Sequence, residues 1–204
     1  MKKRAICCAA LALAAALLLS GCKWNLNLNM EETATVEPPA TPEGFTEYKN
    51  EEKGYAIAYP SDWIAEEDYA DASLVLVKPL EADGGYFVTM NVVTEEAAAL
   101  PLKVYLASAE DELASSHDDY KKISSSEYTL NGVEAAELVY SALLPGEDGG
   151  DSIPAQLLQV LVIYNGRMYV ITAATDESAF DETEPVFREV VSTFYPLADV
   201  TGEE

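Results

Sequence analysis

Gly54-Tyr55-Ala56-Ile57-Ala58-Tyr59-Pro60-Ser61-Asp62-Trp63 is the stretch whose reading decides the fold. Tyr55, Ile57 and Tyr59 alternate with Ala56 and Ala58, the period-2 pattern of a strand within a sheet. Pro60 stops that strand, because proline cannot donate to a β-ladder. Ser61 and Asp62 then turn the chain, and Trp63 returns as a large apolar anchor.

Moving outward, Phe45 to Asn50 is an expected first strand, closed by the charged turn Glu51-Glu52-Lys53-Gly54. Downstream, Leu74-Val75-Leu76-Val77 reads as the next strand, ended by Pro79. Gly84-Gly85 turns into a strand over Tyr86 to Thr94, where Val88, Met90 and Val92 share a face. A helix follows: Pro101 suits its first turn, and Leu102, Leu106, Ala109 and Leu113 recur at helical spacing. It should fade near Ser115-Ser116-His117. Lys121 to Leu130 and Val133 to Leu144 are strands joined by Asn131-Gly132, a hairpin signal.

Pro145 to Asp151 reads as a long acidic hairpin loop. Leu157 to Tyr164 is almost wholly apolar, which predicts a central strand covered on both faces. Asn165-Gly166 is a second hairpin signal and leads into Arg167 to Thr175. A last helix carries Phe180, Phe187, Val190, Val191 and Phe194 on one stripe and is expected to end at Pro196. Seven or eight strands joined mostly by hairpin-length turns, with one helix mid-chain and one at the end, predict an α+β domain. In it an antiparallel sheet of about seven strands carries helices packed on it.

The same landmarks resemble the PsbP-like fold. They are the Gly54–Trp63 strand and its Tyr-Pro-x-x-Trp turn, the helix near Leu102 to Leu113, and the Asn-Gly hairpin. The Asn165-Gly166-Arg167-Met168-Tyr169-Val170-Ile171-Thr172 return strand and the Phe-rich closing helix complete the set. The resemblance covers about Phe45 to Pro196 and implies an α/β/α sandwich. Members of that fold include a photosystem extrinsic subunit, a Ran-binding transport factor and bacterial cell-envelope lipoproteins. The resemblance therefore implies an accessory or binding role rather than catalysis, and it carries over no site residues. Fold alone is weak warrant for activity.

The amino-terminal end reads as an export signal. Lys2, Lys3 and Arg4 precede an apolar run from Ala5 to Leu19, shorter than the ~20 residues a membrane-spanning helix needs. Leu19-Ser20-Gly21-Cys22 resembles the lipobox of bacterial lipoproteins, so residues 1–21 are expected to be a signal peptide and Cys22 the site of lipid attachment. An ordinary secretory signal or a short anchor are the competing readings. Two acyl chains of the palmitate type on one sulfur anchor stably where a single chain binds only marginally. Residues 22–44 form a linker in which Pro38, Pro39 and Pro42 favour extended chain. Residues 45–197 are the globular domain, and 198–204 an acidic tail. The expected location is the extracytoplasmic face of the cell membrane, with the membrane itself and an envelope protein or small ligand as partners.

Charge and cysteine content exclude several classes. The chain carries a formal net charge of −24, and after cleavage nine basic residues stand against 36 acidic ones, or −27. Such a field repels phosphate backbones, so no nucleic-acid partner is expected. With Cys22 the only cysteine left after cleavage, neither a disulfide staple nor a thiolate zinc site is expected.

Candidate chemistry is sparse. His117, the one histidine, has Ser115, Ser116, Asp118 and Asp119 as sequence neighbours, whereas serine–histidine triads are built from distant segments. At a helix carboxyl end it is expected to meet the helix dipole. Glu66-Glu67-Asp68, Glu110-Asp111-Glu112 and Asp181-Glu182-Glu184 read as solvated faces. Glu147 to Asp151 offers oxygen ligands without the spacing of a calcium loop. No catalytic, cofactor or metal site is therefore assigned, and the main reading is a lipid-anchored binding or accessory module. The alternative is a cell-envelope hydrolase using His117 or a carboxylate pair.

Overall fold

A computed structural model describes residues 36–80, 85–117, 119–146 and 151–198. The strands are β1 (Phe45–Asn50), β2 (Tyr55–Pro60), β3 (Ile64–Tyr69), β4 (Ala72–Val77), β5 (Val88–Glu96), β6 (Lys121–Leu130), β7 (Val133–Leu144), β8 (Ile153–Tyr164), β9 (Arg167–Asp176) and β10 (Tyr195–Pro196). The helices are α1 (Leu102–Ser116) and α2 (Phe180–Ser192), the latter preceded by a single 3₁₀ turn.

Seven strands form one antiparallel sheet in the order β3-β4-β5-β9-β8-β7-β6, and β1-β2-β10 form a smaller one. The large sheet divides the core. On β8, Leu158, Val160 and Val162 point to the side of α2 and the small sheet, while Leu157 and Leu161 point to the side of α1. That strand is therefore central and doubly covered, as its apolar run predicts, although it begins at Ile153. Both Asn-Gly turns hold their two residues at positive φ, the conformation a two-residue hairpin loop needs.

The structure differs from the sequence reading at five points. First, Tyr55-Ala56-Ile57-Ala58 is buried on both faces rather than on alternate ones, because β2 is the middle strand of the small sheet. Tyr55 stacks against Phe194 with ring centroids 5.8 Å apart, while the small alanines let the other face close. Second, Ile64–Tyr69 is a strand that its three acidic residues conceal; it lies at the sheet edge, where charge is tolerated. Third, α2 stops at Ser192 rather than at Pro196, and the chain then enters β10. Fourth, Tyr105 rather than Leu106 is fully buried on α1, and Leu106 is half-buried at the seam between two core clusters. Fifth, the strand expected over Tyr86 to Thr94 runs two residues later, over Val88–Glu96.

Thr193 explains how α2 joins the small sheet. β10 pairs only with Tyr55 and Ala56, leaving the next backbone position on that side of β2 open. The Thr193 hydroxyl takes it, accepting from the Ala58 N–H at 2.8 Å and lying 3.1 Å from the Ala58 carbonyl. The β6–β7 turn reinforces the same end of the helix: Asn131 Nδ2 donates to the carbonyls of Ser192 and Phe194, each at 2.8 Å. Helix carbonyls that lack an intrahelical partner are satisfied in this way.

Candidate functional site

A groove of about 270 Å³ lies between α2 and the β6–β7 hairpin. It forms because α2 lies over β8 and β9 and leaves the outer strand β6 uncovered. Tyr128 and Leu130 of β6, Leu158 of β8 and Val191 of α2 supply its apolar lining, and Ser126 and Ser192 stand at its mouth. Glu137 and Arg188 form one wall. The guanidinium grips Glu137 with two bonds of 2.7 and 3.0 Å and gives its Nε to Glu184 at 2.8 Å. Those bonds, led by Glu137, raise the Arg188 pKa further above its ordinary value. An arginine spent on two carboxylates has little left for an anionic ligand. Burial, and then the Glu137 charge, push the Tyr128 hydroxyl up to about 12.

This groove falls just below the roughly 300–1,000 Å³ of small-molecule pockets. It suits one or two side chains of a protein partner better than a cofactor.

A second, polar recess of about 110 Å³ lies where the β1–β2 turn meets β9. Gly54 has φ +72°, and a Cβ there would sit 3.0 Å from Arg167 Nη1 and 3.3 Å from Tyr169 Oη. Glycine is thus required twice, for its backbone and for its space. Arg167 donates to the Lys53 carbonyl, and Tyr169 Oη donates to Gly54 O at 2.8 Å. The Leu197 N–H donates to the same Gly54 carbonyl at 2.9 Å. This recess is a latch that fastens the small sheet to the large one.

His117 caps α1. Its backbone N–H donates to Leu113 O at 3.1 Å, and its Nδ1 lies 3.3 Å from that oxygen and 3.0 Å from Ser116 Oγ. Ser116 Oγ is itself 2.7 Å from the Glu112 carbonyl. The serine and the histidine are thus neighbours at a helix end, each held by helix carbonyls.

The carboxylate runs separate. Glu67 accepts from Tyr48 Oη at 3.1 Å, Glu110 pairs with Lys122 at 2.8 Å, and Glu184 pairs with Arg188. Asp181 and Glu182 occupy the first turn of α2, where negative charge complements the helix dipole. Among the described residues, no group of three or more His, Cys, Asp or Glu could hold a metal ion. Of the acidic loop Glu147 to Asp151, only Asp151 falls within the described residues. The expected signal peptide, Cys22 and the expected linker up to residue 35 lie outside them, as does the expected tail from residue 199. Of the residues expected to form the linker, Val36 packs against the core on the α2 side, and Gly44 O accepts from Ser61 N at 2.8 Å. No described helix is long and apolar enough to cross a membrane.

Sequence reasoning missed the groove, and with it Glu137 and Arg188. The two residues stand 51 positions apart, and each reads as an ordinary surface charge until the fold joins them.

An antiparallel seven-stranded sheet, one helix on one face, and a second helix with a small sheet on the other define an α+β sandwich. The PsbP family profile matches residues 43–195, and the chain belongs to that family. Among solved structures it is similar to the cyanobacterial PsbP (CyanoP) of Synechocystis sp., with 18% identity, a TM-score of 0.58, and coverage of 75% of this chain and 92% of that one. It is also similar to LpqN of Mycobacterium tuberculosis, described as involved in cell envelope biogenesis: 16% identity, TM-score 0.55, coverage 76% and 91%. The Ran-binding protein Mog1p of Saccharomyces cerevisiae matches at 10% identity and TM-score 0.53, with coverage of 75% and 95%. At these identities the likeness establishes the shared fold. No curated protein matches the chain in sequence.

Proposed function

We propose that this chain is a lipid-anchored, extracytoplasmic binding or accessory module without catalytic activity, which holds part of an envelope protein in the groove between α2 and β6. The carrying observation is the groove itself, apolar at its base and rimmed by a charge pair that is already neutralised. A site of that chemistry favours an apolar side chain over a charged substrate. The fold neighbours support the reading: one is described as Ran-binding and another as involved in cell envelope biogenesis. Anchoring rests on Leu19-Ser20-Gly21-Cys22, with Cys22 carrying the lipid on the extracytoplasmic side.

Two experiments test this reading. Cys22→Ala should move the protein out of the membrane fraction or leave the precursor unprocessed; unchanged processing and fractionation would remove the anchor. For the groove, Ser192→Trp places a large side chain at an exposed position on its mouth. Photo-crosslinking in native membranes should capture a defined envelope protein with the parent chain and lose it with the variant. Equal capture by both would show that binding lies elsewhere.

A further inference from the structure

The two edges of the large sheet are built differently. β3 closes one edge with six residues that include Glu66, Glu67 and Asp68, a charged edge of the kind that discourages strand addition. β6 closes the other with ten residues, the first seven exposed. Among the described residues β6 pairs only with β7, and α1 meets it near its start through the Glu110–Lys122 ion pair, so its outer edge has no strand partner. Small side chains, Ser124-Ser125-Ser126, occupy the middle of the strand.

We propose that β6 is a self-association edge, at which a second copy of this chain pairs antiparallel across a two-fold axis to make one continuous sheet. The register follows from the strand's own irregularity. Against β7, Lys122 faces Tyr140 while Ser124 faces Val139, so Ile123 is an extra, bulged residue. A two-fold axis at Ser125 places Ser125 opposite Ser125 and Ser124 opposite Ser126. Beyond the bulge it places Lys122 opposite Glu127 of the second copy and Lys121 opposite Tyr128.

Each pair shares a face. Lys122 lies on the α1 side, since it registers with Tyr140, and so does Glu127, opposite Ala136. Lys121 and Tyr128 both lie on the α2 side, opposite Ser141 and Ala135. Without the bulge the lysines would fall on the wrong faces. Symmetry doubles both contacts, as an isologous interface requires, giving two opposite-charge pairs and two lysine–tyrosine pairs. Lys122 already reaches Glu110 at 2.8 Å and gains a second carboxylate, while Glu127 has no ion pair among the described residues. The formal charge of −24 opposes association at low ionic strength, so the measurement belongs at physiological salt. The edge shares Ser126 and Tyr128 with the groove, but the inference does not depend on a partner being held there.

The test is sedimentation velocity of the full chain in non-ionic detergent over a wide concentration range, with Lys122→Glu, Glu127→Lys and the double exchange. Each single reversal creates two like-charge contacts and should weaken the dimer about tenfold or more. The double exchange should restore it to within about threefold. Ser125→Cys should in addition give a disulfide-linked dimer under mild oxidation that the parent chain, with its own cysteines, does not give. A monomer up to millimolar concentration would overturn the proposal. So would a dimer indifferent to both reversals, or growth beyond two copies, which would mean that β6 pairs with β3 instead.

Discussion

Replacing Tyr140 by phenylalanine should make this protein more stable. Tyr140 is fully buried between the large sheet and α1, its ring 5.5 Å from that of Tyr120. Among the described residues its hydroxyl has no hydrogen-bond partner, and neither does that of Tyr120. A buried polar group left unpaired costs roughly 1–3 kcal/mol, and removing one oxygen opens a void smaller than a methyl group. The net gain should be about 1–2 kcal/mol. For a domain of this size each kcal/mol shifts Tm by about 2–4 °C, so thermal unfolding followed by circular dichroism should show a rise of about 2–8 °C.

A second readout separates this cause from simple repacking. Burial, reinforced by Tyr120, raises the Tyr140 pKa well above the ordinary value of 10.0. Below that value both folded and unfolded chains keep the proton, and the group adds no pH dependence. Above it only the unfolded chain releases the proton, so stability falls as pH rises. Tyr140→Phe should flatten part of that alkaline fall; Tyr55 and Tyr128, raised for the same reason, sustain the remainder. A lower Tm in the variant, or an unchanged alkaline slope, would refute the reasoning.

Two further perturbations probe the junction between the sheets. Gly54→Ala forces a side chain into a left-handed position and against Arg167; it should cost about 1–2 kcal/mol from the backbone alone, read as a lower urea midpoint. Thr193→Val keeps the shape of the helix end but strips the Ala58 N–H and carbonyl of their partner. It should cost about 1–3 kcal/mol, with the denaturant m-value unchanged; a neutral result would mean that β10 extends to take over the pairing.

Most of the fold was legible in the residues themselves. The alternation at Tyr55 to Tyr59, the two Asn-Gly turns, the apolar run before Tyr164 and the Phe180–Val191 stripe are local patterns. Each follows from the two-residue period of a strand, the positive φ of a hairpin turn, or the 3.6-residue period of a helix. The Leu19–Cys22 motif, likewise read from sequence, carries the expectation of a lipid anchor. Ile64–Tyr69 was not legible, because an edge strand keeps one side in water and can be acidic without penalty. Tyr195–Pro196 was not, because a two-residue strand exists only through its partner β2. The groove was least legible. Glu137 and Arg188 become a pair, and Tyr128, Leu158 and Val191 a lining, only when α2 settles over β8 and leaves β6 bare. Periodicity determines which face of an element is apolar; which faces meet, and which edge stays uncovered, is decided by packing between residues far apart in the chain.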